Sequence, residues 1–152
     1  MSFNECSKIE IISREDEKLT FSCPCVNFYG AVDSYLAEIT CPYFCASFSV
    51  HSTGFYYDDE FHNSDEADFF ETLAKNWRGI NGRLEMTCIS GELGFAAVSD
   101  NKGHFDIEIS YDGTKNGPGD FSFKKHFLLE AGELEEVSKR VNKFFAQRSA
   151  RV

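Results

Sequence analysis

The chain has 152 residues, enough for one ordinary domain that buries its own core without disulfide staples and too few for two. Hydrophobic residues make up 42% and aromatic residues 15%, which excludes an intrinsically disordered chain. Lys and Arg number 15 against 25 Asp and Glu, and the net charge of −10 argues against nucleic acid or an anionic membrane surface as the partner and for a basic or neutral one.

Met1 to Lys18 mixes charges with single apolar residues and lacks the apolar stretch of a signal peptide; no run approaches the roughly 18 apolar residues of a membrane helix. A soluble, cytoplasmic protein is expected, with its six cysteines reduced. Alternation of apolar and polar residues, the mark of a strand with one buried face, begins at Ile9 and Ile11. Leu19, Phe21, Cys23 and Cys25 share the face of a second strand, where Pro24 points to a sheet edge because it has no amide donor. Tyr35, Ala37 and Ile39 form a third; Phe44, Ala46, Phe48 and Val50 form a fourth.

A helix is predicted from Asp65 to Trp77, with Ala67, Phe70, Leu73, Ala74 and Trp77 on one stripe, Asn63 or Ser64 as N-cap and Gly79 just past its end. Three further strands follow: Leu84 to Cys88, Phe95 to Val98, and Phe105 to Tyr111. Phe121, Phe123 and Phe127 share a face of the last one, but Lys125 falls on that face too, which predicts a bulge or an exposed end. Turn residues at Ser90-Gly91, from Asp100 to Gly103 and from Asp112 to Gly119 make this region an antiparallel meander. A second helix, about Glu133 to Gln147, gathers Leu134, Val137, Val141, Phe144 and Phe145 on one side and pairs Glu135 with Lys139 and Glu136 with Arg140. The expected fold is α+β, an antiparallel β-sheet with two amphipathic helices packed on it, as a single domain over residues 1–152.

Candidate chemistry is sparse. Cys23, Cys25, Cys41 and Cys45, with His51 and His62 nearby, raise a zinc-stabilised module. Only Cys41 to Cys45 has the spacing of a zinc knuckle, and Cys23 and Cys25 read better as buried thiols beside Leu19 and Phe21. His104 with Asp100, or His126, is what acid–base chemistry would recruit, against the simpler role of bonding a loop backbone. The glycines from Gly113 to Gly119 suggest a phosphate loop, yet Asp120 follows where Lys and then Ser or Thr would stand. No catalytic residue, metal ligand or cofactor is assigned.

The placement of acid is the most informative feature. Asp58, Asp59, Glu60, Asp65, Glu66, Asp68 and Glu71 form a run with no Lys or Arg before Lys75, and Phe55, Tyr56, Tyr57 and Phe61 flank or interrupt it. Rigid aromatic anchors beside charge have the composition of a recognition surface; a solvated acidic loop and helix face is the plain alternative. The spacing is not that of a calcium-binding loop.

Trp77-Arg78-Gly79, then Leu84 and Glu85, then Asp100 with Gly103-His104-Phe105, and finally Leu128-Leu129 with Ala131-Gly132 and Leu134 resemble an uncharacterised family of bacterial domains, DUF6228. The resemblance spans about Asp68 to Phe145 and implies a helix ending in W-x-G, a strand hairpin, a D-x-x-G-H turn and an A-G-x-L start to the last helix. It brings no catalytic residues. By analogy of size and charge alone, the chain is similar to immunity proteins, which neutralise a toxin by binding it. The expectation is a non-catalytic protein-binding module that docks a basic toxin domain on residues 55–71. The alternative is a small enzyme or ligand binder using His104 and Asp100.

Overall fold

The computed structural model describes residues 7–28, 30–52, 55–57, 60–116 and 121–146. Strands β1 (Lys8–Ile12), β2 (Lys18–Val26), β3 (Val32–Thr40) and β4 (Cys45–His51) pair in sequence order as one antiparallel sheet. A short hairpin, β5 (Phe55–Tyr57) and β6 (Glu60–His62), leads into helix α1 (Asp65–Lys75). Strands β7 (Arg83–Thr87), β8 (Leu93–Ser99), β9 (His104–Asp112) and β10 (Ser122–Glu130) form a second antiparallel sheet, and helix α2 (Ala131–Phe145) follows β10 directly. The late meander matches the turn chemistry. The expected single sheet is instead two, because the chain leaves β4 through the hairpin and α1 and begins a separate ladder.

One apolar cluster draws on both sheets and both helices. Phe21 of β2 and Tyr35 of β3 meet at 5.0 Å, and Phe144 and Phe145 of α2 pack on Tyr35 at 5.9 and 5.1 Å. Phe69 and Phe70 of α1 take Phe95 of β8 at 5.5 and 5.7 Å. The helices also contact each other, α1 touches β7, and α2 touches β1 and β10. They therefore bridge the two sheets. Elsewhere the sheets meet directly, with β10 lying along the end of the first sheet where the β1–β2 and β3–β4 turns sit. There Arg14 N donates to Leu128 O at 3.0 Å, Lys125 Nζ meets Glu17 at 2.6 Å, and Phe44 and Phe48 lie 5.6 and 5.8 Å from Phe123.

Local expectations in β2 and β10 divide. Cys23 and Cys25 are exposed rather than buried: the β2–β3 register shifts between Ser22 and Cys25, and Cys23 adopts a left-handed φ of 50°, so the strand exchanges faces and Val26, not Cys25, packs against the core. Pro24 lies inside that bulge, beyond Ser22 where the β1–β2 ladder ends, so among the described residues only β3 runs alongside it, in keeping with the expected sheet edge. Lys125 causes no shift in the β9–β10 register, so the bulge is absent and the other expectation, an exposed end, is met: no residue of β10 before Phe127 is buried, and Lys125 reaches across to Glu17, 4% exposed.

The two helices begin differently, α1 behind a side-chain cap and α2 directly after β10 without one. Ser64 Oγ accepts from Ala67 N at 3.2 Å as N-cap of α1, and Asn63 ties that cap to Asn142 of α2 at 2.9 Å. The helix ends at Lys75, so Trp77 lies outside its stripe and is 51% exposed. Gly79, at φ 139°, holds a backbone conformation that a side chain would strain, and a Cβ there would displace the Asn101 side chain in the β8–β9 turn. On the other side of that turn, Gly103 O accepts from Ala131 N at 2.9 Å, which anchors the first turn of α2. The start of α2 is thus two residues earlier than expected, and Arg140 donates to Glu10 O of β1 at 2.9 Å.

Candidate functional site

The acidic run divides according to the face each residue takes. Phe55, Tyr56 and Tyr57 pair with His62, Phe61 and Glu60 across the β5–β6 hairpin, an element the sequence reading had as loop. Asp58 and Asp59 lie outside the described residues. On α1, Asp65 and Asp68 are exposed, and Glu71 is half-exposed with Lys75 at 3.3 Å. Glu66 is different: it is fully buried on the same stripe as Phe69, Phe70 and Leu73, so its carboxyl does not belong to the outer face. The helical repeat that gathered Phe70 and Leu73 also contains Glu66, and that signal was in the sequence.

Around Glu66 lies an interior polar cluster. Glu66 Oε2 accepts from Ser52 Oγ at 3.0 Å, while Oε1 lies beside Tyr35 Oη without a hydrogen bond of good geometry. Burial pushes the Glu66 carboxyl up to about 7, and burial together with the nearby Glu66 carboxyl drives the Tyr35 phenol well above its ordinary value. Burial also raises the Cys88 thiol, whose sulfur accepts from Leu93 N at 3.3 Å. Glu92 is buried as well, accepting from His51 N at 3.2 Å. Glu66, Cys88 and Glu92 thus meet at the junction of β4, α1 and the β7–β8 turn.

His104 and Asp100 do come together, with Nδ1 to Oδ2 at 2.6 Å. The same carboxylate accepts from Lys102 N at 2.7 Å and His104 N at 3.1 Å, and these bonds, the imidazole first, hold Asp100 down to about 2. That geometry locks the β8–β9 turn. His126 is 2.8 Å from Asp106 on the outer face of the second sheet, where Arg83 joins Glu85 at 2.6 Å and Glu108 at 3.2 Å. Among the described residues no three His, Cys, Asp or Glu side chains converge to hold a metal. Cys41 donates its thiol to Phe44 O at 3.4 Å and Cys45 lies 3.7 Å from Thr40 Oγ1, so each is engaged locally.

Among the described residues the surface also carries clefts, some of them sharing residues with these groups. One of about 440 Å³ is lined by Thr87, Glu92, Ser110, Asp112 and Lys124 at the end of the second sheet. Another of about 390 Å³ separates the end of α1 from the start of α2 and includes Glu71, Trp77 and Glu135. The third, also about 390 Å³, is an aromatic groove between β4 and β10 with walls of Phe44, Ala46, Phe121 and Phe123. Phe48 stacks on Tyr111 at 4.0 Å beneath it, and Phe121 is 46% exposed above. The sequence reading missed this groove. Its only signal was that Phe44 and Phe121 lie just before the strands to which they were assigned, where the alternation no longer guarantees burial.

No helix among the described residues is long and apolar enough to cross a membrane. No curated protein and no solved structure matches the chain. The resemblance first traced from Asp68 onward extends through the N-terminal half: the model of the Family of unknown function (DUF6228) matches residues 11–148, acidic run included, and the chain belongs to that family.

Proposed function

We propose that the chain is a non-catalytic protein-binding module of the immunity-protein kind, which holds a basic toxin domain in the cytoplasm and silences it by contact. The observation that carries this reading is the outer face of α1. Asp65, Asp68 and Glu71 stand on a helix fixed in place by Phe69, Phe70 and Leu73, in a chain of net charge −10. Carboxylates on a rigid element draw a cationic macromolecule into encounter faster than diffusion alone and orient it, even where each ion pair adds little affinity. The β5–β6 hairpin, with Phe55, Tyr56, Tyr57, Glu60 and Phe61, precedes that helix and extends the same recognition segment. A complex of this kind buries about 1,600 Å² in all.

Co-expression with the protein encoded by the adjacent gene tests the reading. The expected result is that the neighbour arrests growth alone, that this chain restores growth, and that the two co-purify. A neighbour that is harmless, or one whose toxicity this chain leaves unchanged without binding it, removes the proposal.

A further inference from the structure

Each large sheet ends in two edge strands, and three of the four are guarded. Along β1, α2 packs close, Arg140 bonds Glu10 O, and Lys8 pairs with Glu10 at 3.4 Å. β7 touches α1 and bears the Arg83–Glu85 pair. β10 is met by Arg14 N at Leu128 O and carries Lys124, Lys125 and His126. Covers and charges of this sort keep a strand edge from pairing with another chain. The fourth edge, β4, reads Cys-Ala-Ser-Phe-Ser-Val-His and contains no Lys, Arg, Asp, Glu or Pro.

The direction of its main-chain groups follows from its ends. Ser52 N donates to Asp33 O beside β3, so Ala46, Phe48 and Val50 face β3, while Cys45, Ser47, Ser49 and His51 face away. Glu92 Oε1 already takes His51 N, in the place a neighbouring strand's carbonyl would occupy. At the exposed Ser47 and Ser49, no donor or acceptor among the described residues meets the outward N–H and C=O. The aromatic groove opens beside this stretch, with Ala46 and Ser47 on its wall. Glu38, which accepts from Ser47 Oγ at 2.9 Å, stands next to it on β3.

We infer that the open edge of β4 takes an extended segment of a basic partner protein as a fifth strand of the first sheet, with one apolar side chain of that segment filling the groove between Phe44 and Phe121. Main-chain pairing supplies the affinity and the groove reads alternate side chains. The choice of occupant rests on the basic partner of the proposed function: Glu38 beside the edge and a net charge of −10 favour a cationic strand and repel a second copy of this chain.

The probe is an acetylated, amidated seven-residue peptide alternating lysine with valine and phenylalanine, titrated into the isotopically labelled chain at low salt and followed by amide chemical shifts and hydrogen exchange. Saturable shifts are expected at residues 45–49 and 121–123, with the Ser47 and Ser49 amides exchanging about tenfold more slowly. N-methylation of the peptide on its pairing edge should weaken it about tenfold, because two or three hydrogen bonds are lost. Phe121→Ala should weaken it severalfold while the rest of the amide spectrum stays in place. Shifts confined to the Asp65–Glu71 face, with β4 silent, overturn the docking edge and leave the basic-partner reading standing. A glutamate version that binds β4 equally well overturns the charge argument on which both rest. An N-methylated peptide of undiminished affinity, or a free chain that sediments as a dimer with Ser47 and Ser49 already protected, also overturns the inference.

Discussion

Glu66 couples the stability of the protein to pH through a single proton. Its ordinary value is 4.5 and burial moves it to about 7 in the folded chain. Below pH 4.5 the carboxyl is neutral in both states and folding carries no penalty from it. Between 4.5 and 7 the unfolded chain releases the proton while the folded chain keeps it, so stability falls as pH rises, and the loss levels off above 7 at about 3 kcal/mol. Glu66→Gln, which retains the shape and a hydrogen-bonding group for Ser52, is expected to stabilise the chain at pH 8 by up to that amount and to leave it unchanged at pH 4. Urea unfolding at several pH values checks this, and parallel profiles for the two proteins would contradict it. Asp100 has the opposite sense: held down to about 2, it contributes stability above its ordinary value that disappears as pH falls toward 2. Neither environment was legible by counting acids along the chain. Counting them around the helix would have separated Glu66 from Asp65 and Asp68, whereas the Asp100–His104 pairing was foreshadowed by their sharing one turn.

At the scale of elements, the joint between the sheets is electrostatic as well as aromatic. Lys125 of β10 reaches the buried Glu17 beside the β1–β2 turn, and Arg14 of that turn meets Glu130 at 3.0 Å. Removing one partner of a largely buried pair leaves an uncompensated charge, so Lys125→Ala should cost about 3 kcal/mol, while Glu17→Gln combined with Lys125→Met should recover most of the loss. A double-mutant cycle by chemical denaturation measures it; equal destabilisation by the single and double variants would show that packing, not charge, is lost. The strands and helices themselves were legible because period two and period 3.6 survive in β9, β4, α1 and α2. What stayed hidden lacks a period. The strands of the β5–β6 hairpin are three residues each, the bulge at Cys23 depends on a backbone conformation that no glycine announces, and strand pairing across the gap between β4 and β7 leaves no trace in either segment.

For the whole molecule, the proposed basic partner makes the sign and placement of charge the property to test. Replacing Asp65 and Asp68 by Asn and Glu71 by Gln changes the net charge from −10 to −7 without touching the core contacts of α1. The association rate with a basic partner should fall about tenfold at low ionic strength, and the difference should fade as salt shortens the screening length. Stopped-flow association at several salt concentrations reads this out; a rate insensitive to both charge and salt would place the contact elsewhere. The direction of charge was legible from composition, since 25 acids against 15 bases needs no coordinates, but its distribution between surface and interior was not.

The corner where Gly79, the β8–β9 turn and Ala131 meet gathers residues on which the family resemblance was drawn. Trp77-Arg78-Gly79, the segment from Asp100 to His104 and Ala131-Gly132 are separate in sequence yet converge on one spot, where a side chain at Gly79 would be strained and Gly103 supplies an acceptor to α2. A pattern of that origin polices architecture. Chains that carry it can be expected to share this corner while differing freely at distant surfaces, so the pattern predicts shape in a newly read sequence and transfers no knowledge of what that sequence binds.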